Sequence, residues 1–378
     1  MSTETDKTYR CPFCLHEFTK EKAEELKKRE NLNYYKCPST EKDLTGRLCN
    51  KRLPEGFFDS EHKVICLIGG PGTGKTYFLI ALINILQKQA LFEFGFSATM
   101  YYPDNSAKVF YDKLLNQHES KQHIEATQLD AGAEKHAFCL QVNNNRIKNK
   151  PRTIFLSIFD NPGEGFKLNE GFMLDNTKLL SADAVICLIS PEQIESFGDE
   201  IKRMPTEDPK GRKLAGVSNE PEMFSDILEN VRRAMSRKNV NTLKSKISTP
   251  FAFCLSKYDL VESKMDLRTF IPRDDWRSDI IKFYEYNVHK PLLQRLLQKE
   301  ICFDKIDNLS DDISYFFKGY STGSKEAPVP FFEISKRIPE YFSNYKLFVV
   351  RSITQNWELQ PKGISLPLIW ILNELKLY

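Results

Sequence analysis

The sequence predicts an α/β protein: a three-layer sandwich with a mostly parallel sheet, preceded by a small cysteine-rich module. Three observations predict it. Short apolar runs of strand length alternate with helix-patterned or polar segments from residue 63 onward, the pattern of a sheet covered by helices. One of these runs opens a strand, glycine loop, helix unit at residues 63–86. Ahead of it, Cys11-Pro-Phe-Cys14 forms a CxxC pair. The 378 residues leave room for more than one unit, at about 150 residues per domain. The expected boundaries are 1–58 for the module and 59–378 for the large domain, with insertions near 192–220 and 324–360.

In the module, Cys37 lies 23 residues after Cys14, and Cys49 lies 12 beyond Cys37. Four thiolates satisfy tetrahedral Zn2+, and such a site can fold a segment too small to have its own core. The second half departs from a ribbon with two CxxC pairs, because its spacing is C-x11-C. His16 is therefore a candidate substitute ligand, and a redox CxxC is the competing reading. The module carries 12 basic and 11 acidic residues over 1–60, a balance that does not favour nucleic acid.

Lys63–Ile68 reads as a buried strand and Tyr77–Leu86 as a mostly buried helix. Between them Gly69, Gly70, Pro71, Gly72, Thr73, Gly74, Lys75 and Thr76 fit G-x-x-x-x-G-K-[ST], the phosphate-binding loop, in the context that motif requires. Backbone N–H groups of such a loop close around phosphate oxygens, helped by the partial positive charge of the helix start. Lys75 is expected to reach the β- and γ-phosphates, and the Thr76 hydroxyl to bind Mg2+. The expected fold is thus a P-loop NTPase sandwich around a nucleoside triphosphate.

Further strands are expected at Ala137–Val142, Arg152–Phe159, Ala184–Ile189 and Pro250–Leu255, with a sixth at Ser314–Phe317. A helix is expected within Pro221–Asn239, where Phe224, Ile227, Leu228, Val231 and Met235 recur at helical spacing. The second of these strands ends in Asp160-Asn-Pro-Gly163, which fits D-x-x-G. Asp160 can hold the Mg2+ through water, and the Gly163 amide can sense the γ-phosphate. Pro250–Leu255 runs into Ser256-Lys-Tyr-Asp259, close to [N/T]-K-x-D. An aspartate there accepts from guanine N1–H and N2–H2, whereas adenine would leave the carboxylate unpaired. The Lys257 stem packs over the base, and Ser256 keeps a hydroxyl where Asn or Thr is usual.

Composition excludes other classes. Fifty-four basic and 51 acidic residues give a net charge of +3, with no global pull toward nucleic acid or anionic membrane. The basic run 231–246 could meet nucleic acid or an acidic partner, against the plainer reading of a solvated helix face. No run of about 18 apolar residues suggests a membrane span. Cys66, Cys139, Cys187 and Cys254 sit inside apolar runs, as small buried hydrophobes of a reducing, cytoplasmic protein.

Phosphate loop, D-x-x-G and Ser-Lys-x-Asp in this order resemble the translation-factor-like (TRAFAC) class of P-loop GTPases. A closer resemblance is to the bacterial double-GTPase family of conflict or antiviral-defence gene clusters. Its members begin with a zinc ribbon resembling Cys11-Pro-Phe-Cys14 and end with a helix resembling Ile364–Leu372. That helix reads equally as core or as a partner surface. The resemblance implies a switch threonine before the second strand, where Thr127 stands. It also implies a last base-contacting loop after the sixth strand, best fitted by Ser321 and Thr322, with Ser335-Lys336 as competitor. Glu164 stands where many GTPases place a water-orienting glutamine.

The expected function is a GTP-binding, slowly hydrolysing regulatory switch, with protein partners in a multi-component system: a further GTPase or an effector. An ATP-driven remodelling subunit and a non-hydrolysing assembly module are the competing readings. The first would require a strand ending in Asp-Glu, where this one ends in Asp160-Asn161.

Overall fold

The computed structural model describes residues 7–40, 48–70, 72–87, 96–119, 137–144, 152–160, 177–193, 224–236, 246–257, 338, 341–353, 359–362 and 364–377. In chain order the strands are β1 (Thr8–Arg10), β2 (Glu17–Thr19), β3 (Glu61–Ile68), β4 (Phe96–Tyr101), β5 (Ala137–Asn144), β6 (Arg152–Asp160), β7 (Ala184–Ile189), β8 (Phe251–Leu255), β9 (Tyr345–Val349), β10 (Arg351–Ile353) and β11 (Leu359–Lys362). The helices are α1 (Lys20–Arg29), α2 (Lys75–Gln87), α3 (Asn105–Glu119), α4 (Thr177–Leu180), α5 (Phe224–Ser236) and α6 (Leu366–Glu374).

Seven strands form the main sheet, in the order β4-β5-β6-β3-β7-β8-β9. β6, β3, β7, β8 and β9 run parallel, and β5 is antiparallel to both of its neighbours. The central strands are near-continuous apolar runs because both faces are covered. On one face α2 and α6 bury Leu79, Ile83, Leu368 and Ile371 against Leu67, Leu156 and Ile186. On the other, α5 buries Ile227, Leu228 and Val231 against Val185, Cys187 and Phe253. The α6 helix is a core element: Leu368, Ile369, Trp370, Ile371 and Leu372 are buried, with Trp370 against Phe348.

Among the elements not expected from sequence are β4, α3 and β9. β4 and α3 extend the sheet beyond β5; the Asp104 carboxylate caps α3 by accepting the Ala107 N–H at 2.8 Å. β9 pairs with β8 from Phe251↔Tyr345 to Leu255↔Val349. Residues 345–349, within the stretch expected to carry an insertion near 324–360, belong to the sheet, and burial of Phe348 and Val350 places them under α6. The expected strand Ser314–Phe317 lies outside the described residues.

The cysteine module docks on the sheet. β1 and β2 pair as a hairpin, and Cys37 N–H to Lys51 O and Leu53 N–H to Tyr35 O, both 2.9 Å, close the second half. Phe18, Phe57 and Phe58 join Cys139 and Phe155 of the sheet in one core. Arg10 donates to both carboxylate oxygens of Asp183 at 3.2 Å, and Asp183 in turn accepts the Val64 N–H at 2.8 Å.

His62 lies at this junction. Its Nε2 meets the Phe57 carbonyl at 2.6 Å, and its Nδ1 is buried with no hydrogen-bond partner among the described residues. Burial, with Lys7 and Arg10 nearby, pushes His62 down to about 4. Below pH ~6.5 the unfolded chain binds a proton that the folded junction refuses, so stability falls as pH drops from ~6.5 toward 4, by roughly 2–3 kcal/mol. His62→Gln keeps the donor and removes the titration. Melting at pH 7 and pH 5 is expected to show a smaller loss in this variant than in the unaltered protein.

Candidate functional site

The site sits at the carboxyl end of the parallel strands, where the order reverses around β3 and ligands of such sheets bind. The register Leu67↔Asp160 and Ile68↔Cys187 brings the ends of β6 and β7 to either side of the loop that leaves β3. Gly69 has φ +153°, and a Cβ there would lie 2.6 Å from the Leu188 carbonyl oxygen. Only glycine allows the chain to leave the sheet so close to β7. Gly74, with φ +84°, turns the chain into α2, whose first turn closes with Phe78 N–H on the Gly74 carbonyl at 2.8 Å.

Within the loop, Thr73 Oγ1 donates to Gly70 O at 3.0 Å. Lys75 is buried, and its ammonium donates to Gly69 O at 2.8 Å and Gly70 O at 3.1 Å. The cation thus lies folded along the loop that is to hold an anion. Thr76 Oγ1 donates to Asp160 Oδ2 at 3.1 Å. The two oxygens are hard donors at the spacing of neighbouring ligands, and the pair fits a hard divalent cation such as Mg2+.

The segment after β8 is tied to the phosphate-loop segment. Ser256 is buried, and its Oγ lies 2.9 Å from the Thr73 carbonyl of the loop and 3.1 Å from the Ile189 carbonyl. The serine hydroxyl thus reaches the phosphate-loop segment. Lys257, with φ 52°, places its Nζ 3.3 Å from Glu192 Oε2.

Pro71, Thr127, Gly163, Glu164, Asp259, Ser321 and Thr322 lie outside the described residues. The remaining predicted residues of the loop come together with Asp160 and Ser256. Sequence reasoning missed Ser190, Glu192 and Gln193, and placed the last two in an insertion near 192–220. They form instead a turn built onto the site, because Gln193 is buried and its Oε1 accepts the Ser190 N–H at 3.0 Å. Their position directly after an apolar strand was the available signal.

A second candidate centre is the cysteine cluster. The Sγ atoms of Cys11, Cys14, Cys37 and Cys49 all lie within 4.8 Å of one another. Cys11–Cys49 is 3.8 Å and Cys14–Cys37 is 3.6 Å, against the ~3.8 Å edge of a tetrahedron with ~2.3 Å Zn–S bonds. The Phe13 N–H donates to Cys11 Sγ at 3.4 Å, a contact of the kind that orients a metal-bound sulfur. Burial and the neighbouring sulfurs push the Cys11 thiol up. The fourth member is Cys49; His16 does not belong to the cluster, and its carbonyl instead accepts the Cys11 N–H at 2.9 Å. The four sulfurs fit Zn2+.

Among described residues the basic run is partly neutralised: Arg232 and Arg233 both pair with Glu229, at 2.6 and 2.9 Å. Those two guanidiniums hold Glu229 down at about 2. No helix among the described residues is long and apolar enough to cross a membrane.

The family model described as Double-GTPase 2 matches residues 63–256. No curated protein matches the chain. Among solved structures, the chain is similar to the Arl6 BBS3 small GTPase from Trypanosoma brucei with bound GppNp, at 12% identity and TM-score 0.31, covering 83% of this chain and 98% of that one. It is similar to Roco2 RocCORdC from Methanosarcina barkeri bound to GDP, at 11% identity and TM-score 0.30, covering 84% of this chain and 50% of that one. It is also similar to a bacterial selenocysteine-specific elongation factor, at 15% identity and TM-score 0.24, covering 68% of this chain and 29% of that one. Likeness at these scores adds nothing to the family match. That match takes in more than half of the chain, from the strand that feeds the phosphate loop to the serine that closes on it, and the protein accordingly belongs to the double-GTPase 2 family of P-loop GTPases.

Proposed function

We propose that this protein is a GTP-selective switch that hydrolyses GTP slowly and acts with protein partners. The observation that carries the reading is the Ser256 hydroxyl on the Thr73 carbonyl, at 2.9 Å across 183 residues of chain. A base loop fastened to a phosphate loop serves one ligand with a base at one end and phosphates at the other.

In this reading Lys75 leaves the Gly69 and Gly70 carbonyls for the β- and γ-phosphates. Thr76 and Asp160 hold the magnesium, which when bound neutralises the phosphate oxygens. Asp259 accepts from the guanine edge, and Ser321 and Thr322 close over the base. Thr127 and the Gly163 amide sense the γ-phosphate, and Glu164 orients or deprotonates the attacking water. Little else is needed for slow turnover, and a partner's arginine can add up to ~10⁵-fold. The partner is a further GTPase or an effector of a conflict or antiviral-defence system in the cytoplasm. The near-balanced charge of +3 gives no support for nucleic acid.

Phosphate release from GTP and ATP, with and without magnesium, tests this. Magnesium-dependent release from GTP at a low rate, with little from ATP, is expected. ATP turnover equal to or above GTP turnover would replace the reading with an ATP-driven remodelling subunit. Binding without turnover would leave a nucleotide-dependent assembly module.

A further inference from the structure

The turn after β7 touches both halves of the nucleotide site, and no motif predicts it. Ser190 Oγ donates to Glu192 Oε2 at 2.7 Å, and the Lys257 ammonium donates to that same oxygen at 3.3 Å. The two charged side chains are only 16% and 19% exposed. Next to them, Gln193 is 1% exposed, and its side-chain nitrogen lies against Gly70, where an added Cβ would collide. Glu192 thus stands on a rigid support between the phosphate loop and the base loop.

Lys257 also has a left-handed backbone, with φ 52°. For a residue with a Cβ this conformation is strained and persists only where its surroundings impose it. A lysine side chain carries considerable rotamer entropy, and anchoring its head group before the ligand arrives removes part of that cost from binding.

We propose that Glu192 is a positioning residue for nucleotide binding: its carboxylate fixes the Lys257 ammonium, so that the aliphatic stem is laid across the purine face in advance. The proposal rests on the guanine reading given above. Glu192 acts through Lys257 and touches no reacting atom.

The test is a double-mutant cycle in the full chain. Dissociation constants for GTP, ATP and inosine triphosphate are measured for the unaltered protein, Glu192→Gln, Lys257→Met and the double variant. Glu192→Gln is nearly isosteric and keeps the turn. It is expected to weaken GTP about tenfold, the scale of one immobilised long side chain. Inosine triphosphate is expected to weaken by the same factor, because the stem covers the face and not the edge. In the Lys257→Met background the Glu192→Gln change is expected to cost nothing further. Unchanged GTP affinity in Glu192→Gln, or a full additional loss in the double variant, would overturn the proposal while leaving the guanine reading intact. Equal affinities of the unaltered protein for GTP and ATP would overturn both.

Discussion

Lys75→Ala is expected to weaken triphosphate binding by at least ~100-fold while leaving the fold in place. In the structure the ammonium is buried and donates to the Gly69 and Gly70 carbonyls. It is therefore desolvated before a nucleotide arrives, and its attraction for phosphate is little screened by water. A charge-assisted contact is about twice as strong as a neutral one, and truncating one partner of a buried charged contact costs about 2–5 kcal/mol, roughly 30-fold to several thousand-fold in affinity. The fold should survive because Lys75 begins α2 and alanine is the best helix former. Calorimetric titration with GTP, alongside thermal melting, separates the two effects. Binding within a few-fold of the unaltered protein would mean that the loop does not hold phosphate.

Loss of one zinc ligand is expected to be the largest stability effect. Cys37→Ser is expected to abolish stoichiometric zinc and to unfold the module, since structural zinc contributes ~10–16 kcal/mol of apparent folding free energy in small sites. The reason is local. The cluster joins the knuckle at Cys11–Cys14 to the second half, whose described stretches around Cys37 and Lys51–Leu53 pair with each other. Its release also exposes Phe57 and Phe58, which close the core over Phe155. Metal analysis of purified protein should give one zinc per chain, falling to near zero in Cys37→Ser. Full zinc content in that variant, or none in the unaltered protein, would contradict the assignment.

How legible each part was depended on the range of its interactions. Lys63–Thr76 could be read because strand, loop and helix start are adjacent in sequence and each residue type has a local reason. β7 and β8 could be read because burial on both faces makes them uninterrupted apolar runs. Phe96–Tyr101 and Tyr345–Val349 could not. As outer strands they mix Ser, Thr and Lys with apolar residues, and only pairing with β5 and β8 defines them. Cys49 was ambiguous for the same reason: its place beside Cys11 comes from pairing across the module. Glu192 and Lys257 are 65 residues apart and meet only because β7 and β8 are neighbours. Ser256 departs from the usual Asn or Thr but keeps a hydroxyl, and that hydroxyl reaches the Thr73 carbonyl across 183 residues of chain.

In the proposed reading the ligand is a guanine nucleotide read by the loop at 256–259. The direct measurement is equilibrium binding of GTP, ATP and xanthosine triphosphate to the unaltered protein and to Asp259→Asn. The carboxylate accepts two guanine donors, whereas an amide offers a donor to the xanthine oxygen. The account predicts preference for GTP in the unaltered protein, and a switch toward xanthosine triphosphate of about 10²-fold or more in Asp259→Asn. Retained GTP preference in that variant, or equal binding of GTP and ATP by the unaltered protein, would contradict it.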